Sequence, residues 1–99
     1  MNVRPEEFMN LDRVIHEPAR MVILTALSSA ESAEFRFLES LTGLSAGNLS
    51  SHIAKLEAAG YVAVEKSFRN KRPLTTLKIT RTGRSALKAY RDQLRKALR

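Results

Sequence analysis

The chain contains no cysteine. Disulfide frameworks, thiolate nucleophiles and cysteine metal sites are therefore excluded together. Imidazole is nearly as scarce: His16 and His52 stand far apart in the sequence, and isolated histidines are more often structural than metal ligands. Aspartate occurs only at Asp12 and Asp92, and there is no phosphate loop, no Ser-His-Asp spacing and no glycine-rich cofactor turn. Neither a catalytic role nor a cofactor is expected. No apolar run approaches the length of a membrane span, and Glu6 and Glu7 stand where the apolar stretch of a signal peptide would lie. The expectation is a cytoplasmic protein without a membrane partner.

What is present fits one modest domain. The 99 residues, 43% apolar and 6% aromatic, suit a single ordinary core. The charge is unevenly placed. Residues 1–65 carry five Lys/Arg against nine Asp/Glu, a net of −4, whereas residues 66–99 carry twelve Lys/Arg against Asp92 alone, a net of +11. A polyanionic partner explains such a block, because each Lys or Arg beside a phosphate releases a condensed counterion. A basic protein with no nucleic-acid role is the plainer alternative.

Along the chain, Phe8, Leu11, Val14 and Ile15 predict a helix from Pro5 to Glu17. Pro18 interrupts it, and "ARMVILTALSSA" (Ala19 to Ala30) predicts a central core helix with Met21, Leu24 and Leu27 plus Val22, Ile23 and Ala26 on a wide apolar face. A polar connector follows, with Ser32 as the cap of a short helix over Phe35 to Thr42 that turns Phe35, Leu38 and Leu41 inward. Gly43 ends it, and Ser45 caps a helix running to Ala59, which Gly60 stops. At about 100° per residue, Leu49, Ile53 and Leu56 share one side, and Gly47, Ser50, Ser51, Ala54 and Lys55 the other. Two helices joined by a short glycine-containing turn make a helix-turn-helix. "YVAVEKSF" then alternates as a strand, "RNKRP" is a loop and "LTTLKIT" is a second strand, so a hairpin with Arg69, Lys71 and Arg72 at its tip and Lys66 just before it follows directly.

This order resembles the winged-helix DNA-binding domain, and in particular short single-domain transcriptional regulators related to the MarR and ArsR families. The resemblance rests on "LDRVIHEPARMVILTAL", "GLSAGNLSSHIAKLEAAGYVAVEK" and "LKITRTGRSALKAY", and covers nearly the whole chain. It implies a mostly α fold with a small β-hairpin wing and extended N- and C-terminal helices. The single domain spans 1–99: an N-terminal helix at 1–17, a winged-helix core at 18–80 and a dimerisation helix at 81–99. It implies double-stranded DNA as partner, with the recognition helix 45–59 in the major groove. Ser45, Ala46, Gly47, Asn48, Ser50 and Ser51 would line the reading face. His52 and Lys55 would approach the DNA backbone, and the wing 66–73 would place Lys66, Arg69, Asn70, Lys71 and Arg72 on phosphates. The chain departs from metal-sensing relatives in lacking every cysteine. It also carries Ser51 where many relatives carry an Arg, which implies modest base readout.

In the last segment Thr80 predicts a helix cap, with Leu87, Tyr90, Leu94 and Leu98 in one stripe and Arg84, Lys88, Arg91 and Arg95 in another. The apolar stripe needs cover. A second copy of the chain, giving a homodimer, is the expected source, with Glu6, Glu7, Asp12 or Glu17 near the basic helices; a monomer folded back on its own N-terminal helix is the alternative. A winged helix used for protein or RNA contacts, or as a non-specific architectural DNA binder, also remains open, because fold does not dictate function. A chain of this size is not expected to carry a separate sensor domain, so a small-molecule effector would be expected at the dimer interface or between the core and the terminal helices.

Overall fold

A computed structural model describes residues 4–99. The first three positions of the expected 1–17 segment lie outside the described residues. The element order is α1 (Pro5–Met9), α2 (Pro18–Ser28), β1 (Ala33–Glu34), α3 (Phe35–Thr42), α4 (Ala46–Ala58), β2 (Val62–Arg69), β3 (Arg72–Ile79) and α5 (Arg81–Ala97). Helices surround a small antiparallel sheet of order β1-β3-β2. The mostly α architecture with a hairpin wing is as the sequence implies.

The first helix is much shorter than its periodicity suggests. It stops at Met9, because Asp12 offers the backbone a competing set of hydrogen bonds: its Oδ1 accepts from the amides of Val14 and Ile15. Asp12 Oδ2 also accepts from the Tyr61 hydroxyl, and this carboxylate together with burial pushes the Tyr61 phenol up to about 12. Glu17, which precedes Pro18, is held extended at φ −156° and ψ 131°, as the proline ring requires of its neighbour. The apolar spacing of Leu11 and Ile15 therefore marks burial in an irregular segment, and both side chains are in the core.

Helix α2 is the centre of the molecule. Ile23, Leu24 and Leu27 are fully buried and join Leu38 of α3, Leu49, Ile53 and Leu56 of α4, Val62 and Leu77 of the sheet, and Leu87 and Tyr90 of α5. Its first turn is capped by Glu17, whose carboxylate accepts from the Ala19 and Arg20 amides.

Three finer expectations fail. Ser32 does not cap α3; Glu34 holds that position without a side-chain bond, because residues 33 and 34 are drawn onto the free edge of β3, pairing Ala33 with Leu77 and Glu34 with Thr76. A two-residue strand has too few positions to show a period. Leu41 is 47% exposed, because three-residue steps lag the helix by about 60° each and only Leu38 stays centred on the core. The "RNKRP" loop contracts to Asn70 and Lys71, both left-handed (φ 53° and 64°), in the two-residue turn that suits the twist of a hairpin.

The joint between wing and last helix is tight. Thr80 Oγ1 caps α5 by accepting from the Gly83 amide and donates to the Gly60 carbonyl, while the Thr80 amide bonds the Tyr61 carbonyl. Gly83 is buried against that carbonyl, and a Cβ there would overlap its oxygen. Backbone cannot step aside as a side chain can, so Gly83→Ala is expected to cost about 3 kcal/mol of unfolding free energy in urea denaturation. A midpoint equal to that of the wild type would refute the close approach.

Candidate nucleic-acid interface

Helix α4 begins with Ser45, whose hydroxyl accepts from the Asn48 amide. One side of the helix is closed by burial of Leu49, Ile53 and Leu56 against α2, α3 and β2. On the opposite side Ala46, Gly47, Asn48, Ser50, Ser51, Ala54 and Lys55 are all exposed. Ser45 also lies exposed at the start of this surface. Because Ser45 does the capping, the Asn48 side-chain amide is left without a hydrogen bond among the described residues and is free for an outside partner.

His52 behaves differently from the rest. It is half-buried, with Nδ1 3.2 Å from Glu17 Oε2 and 3.1 Å from Arg20 Nη1, and so points onto the start of α2 rather than outward with its neighbours. The buried Arg20 is fastened in turn by its Nε, which donates to the Val14 carbonyl. Burial pushes the Glu17 carboxyl up, but the amides of Ala19 and Arg20 and the charges of His52 and Arg20 outweigh it and hold the carboxyl below its usual range. His52 thus belongs to a joint between α4 and the start of α2. Sequence pattern could not reveal this, because the three residues are up to 35 positions apart and share no periodicity.

The wing stands beside α4. Ser50, Ala54 and Glu57 of the helix line the same surface cleft as Lys66 of β2 and Thr75 of β3. At the tip, Asn70, Lys71 and Arg72 are exposed. Arg69 is exposed too, but it makes a two-pronged contact with Glu34 of β1, at 3.1 and 3.3 Å. That pair sits in water, so it contributes little stability and leaves Arg69 able to exchange partners. One wing residue escaped the sequence reading: Phe68, paired across the hairpin with Pro73, is 75% exposed.

The apolar stripe of α5 divides. Leu87 and Tyr90 are already buried within the chain, the Tyr90 hydroxyl lying 2.7 Å from His16 Nδ1 and 3.0 Å from Met21 Sδ, and burial raises its pKa. Leu94 is half-buried and Leu98 is 68% exposed. Helix α1 packs on α5, with Arg4 and Glu7 around a hollow shared with Lys96, Ala97 and Arg99. Of the acidic residues expected near the basic helix, Glu7 is there, while Asp12 and Glu17 are engaged elsewhere.

A helix with one packed and one open polar face, followed at once by a basic hairpin, is the arrangement of a winged helix, and residues 19–98 match the family model described as winged helix DNA-binding domain. The chain belongs to that family. It is 38% identical over 78 residues to an uncharacterized protein of Methanocaldococcus jannaschii, covering 79% of this chain and 85% of that one. Among solved structures, a transcriptional regulator homologue from Pyrococcus horikoshii OT3 superposes with a TM-score of 0.85 at 30% identity, over 95% of this chain and 92% of that one. A possible transcriptional regulator for arsenical resistance superposes with a TM-score of 0.66 at 25% identity, over 82% and 79%. The family and fold point to a DNA-binding regulator and not to an enzyme.

Within this winged helix, Gly47 is not required by packing: its φ is not positive and a Cβ there meets nothing within 4 Å. Gly47→Ala should therefore stabilise the free protein by about 0.5 to 1 kcal/mol, read as a higher urea midpoint. Destabilisation would show that the helix start is constrained in some other way.

Proposed function

We propose that the protein is a sequence-specific transcriptional regulator that binds duplex DNA as a homodimer, with α4 in the major groove and the wing on the adjoining backbone. The observation that carries this reading is the open face of α4, where Gly47, Asn48, Ser50 and Ser51 are exposed beside the cations of the wing. Small side chains let the helix lie close to the base edges. The free Asn48 amide suits adenine, and Ser51 can bond several bases without separating them well. Lys55, Lys66, Lys71 and Arg72 would hold phosphates and set the register, with Arg69 joining them if it leaves Glu34. Phe68 would pack against sugar edges beside them.

Selection from random duplexes tests this directly. A two-fold motif is expected, with half-sites about one helical turn apart, since a dimer presents its two recognition helices to successive grooves. Asn48→Ala should blur matching positions in both halves at a cost of about 1 to 3 kcal/mol in discrimination, and Ser51→Ala should cost less. Gly47→Ala, harmless to the fold, should weaken the selected site. Salt-sensitive binding with no enriched motif would instead favour an architectural binder, and absence of duplex binding would favour a protein or RNA contact module.

For the dimer, α1 and α5 supply the apolar surface: Phe8, Met9 and Leu98 are exposed on these two packed elements, next to the half-buried Leu94. Light scattering at micromolar concentration should give twice the chain mass of 11.1 kDa, and Met9→Glu with Leu98→Glu should halve it without unfolding the protein, as both side chains are exposed. A monomeric wild type would rule the dimer out.

A further inference from the structure

The wing accounts for only part of the positive charge. Helix α5 carries Arg81, Arg84, Lys88, Arg91 and Arg95, and Arg99 follows just beyond its end. Their spacing of three and four residues keeps all six within an arc of about 80°, away from the buried Gly83, Leu87 and Tyr90. From Arg81 to Arg95 the stripe runs about 21 Å at 1.5 Å per residue. Every one of these side chains is exposed. Arg84 donates to the Ser28 carbonyl at the end of α2, and Arg95 reaches Asp92, the sole acid on the helix, at 3.4 Å. Among the described residues no carboxylate from another element pairs with the stripe.

Like charges at these spacings oppose the helix and one another, and a polyanion relieves that repulsion while releasing its own counterions. The chemistry of the stripe narrows the polyanion. The apolar side of α5 is largely spent on the chain's own core, so the helix lacks the free apolar face that insertion into a lipid surface requires. Tyr90, the only aromatic residue on the helix, is buried, so there is no platform on which unpaired bases could stack. A straight row rich in arginine instead matches the regularly spaced phosphates of a duplex, which guanidinium groups bind in two-pronged fashion. The stripe is also not part of the α4 surface. Helix α2 packs against both α4 and α5; Arg84 reaches the end of α2, and the remaining cations follow the exposed side of α5.

We infer that the outer face of α5 is a second, sequence-independent DNA-binding surface, which takes a duplex segment separate from the one at α4 and the wing. A single molecule, or a dimer, would then bridge two segments.

The test uses the full chain, a random-sequence duplex and two variants. Arg81→Glu with Lys88→Glu and Arg91→Glu removes three stripe cations that have no partner among the described residues; Lys66→Ala with Lys71→Ala and Arg72→Ala disables the wing. Binding is followed by fluorescence anisotropy across a salt series. The wing variant should keep salt-dependent binding, and the α5 variant should weaken at least tenfold at low salt, with a log–log slope shallower by about 3 per chain. Beads carrying one duplex should retain a second, labelled duplex through the wild type but not through the α5 variant. Circular dichroism checks that the helix survives, and the Gln versions of the same three changes, which lose charge without reversing it, should show the same effects in weaker form. Unchanged slope and unchanged bridging in both α5 variants would overturn the inference. So would intact DNA binding accompanied by a fall in mass, which would assign the stripe to acidic residues of a second copy. These readouts do not need a selected site, so a failure to find an enriched motif counts only against the reading of α4.

Discussion

Burial of Ile23, Leu24 and Leu27 along one helix is the interaction on which the other elements depend. Helix α2 contacts α3, α4, α5 and β3, so its position constrains where α4, the wing and the last helix can lie. Three fully buried aliphatic side chains contribute roughly 1.5 to 3 kcal/mol each by removal from water, a large share of what a domain of this size has to spare. Its first turn adds orientation to that attraction. Glu17 caps the helix and, with Arg20, grips His52 on α4, so the polar knot adds direction to a contact that burial alone would leave free to slide.

The consequence for α4 is a division of labour within thirteen residues. Leu49, Ile53 and Leu56 hold the helix, and His52 sets its rotation. What remains on the outer side is mostly small and polar and is exposed, with no packing contact that fixes its residue types. The wing follows the same logic. Its register is set by the Asn70-Lys71 turn and by pairing with β3, and Arg69 meets Glu34 of β1 in water, leaving Lys66, Lys71 and Arg72 unpaired among the described residues.

Charge is arranged by the same packing. The acidic first half spends Asp12 and Glu17 on backbone amides and on internal partners, which removes them from the surface that would repel a polyanion. The basic second half, by contrast, is almost wholly exposed, on the wing and along α5.

Much of this was legible in the residues themselves. Helices α2, α4 and α5, the glycine stops at Gly43 and Gly60, the caps at Ser45 and Thr80 and the hairpin follow from local periodicity and local hydrogen bonding, and for that reason they could be read without the fold. Long-range partners could not. The anchoring of Asp12 by Tyr61 crosses 49 positions, β1 exists only because β3 has an open edge, and the inward turn of His52 requires Glu17 and Arg20. Burial of Leu87 and Tyr90 by the chain itself is of the same kind, since an apolar stripe records a need for cover without saying whose surface supplies it. Sequence alone therefore determined which of the longer segments are helix or strand and which faces are apolar or charged, because those properties arise between near neighbours. Only the tertiary structure decided which polar side chains are spent inside the chain and which stay open to a partner, because that depends on contacts between residues dozens of positions apart.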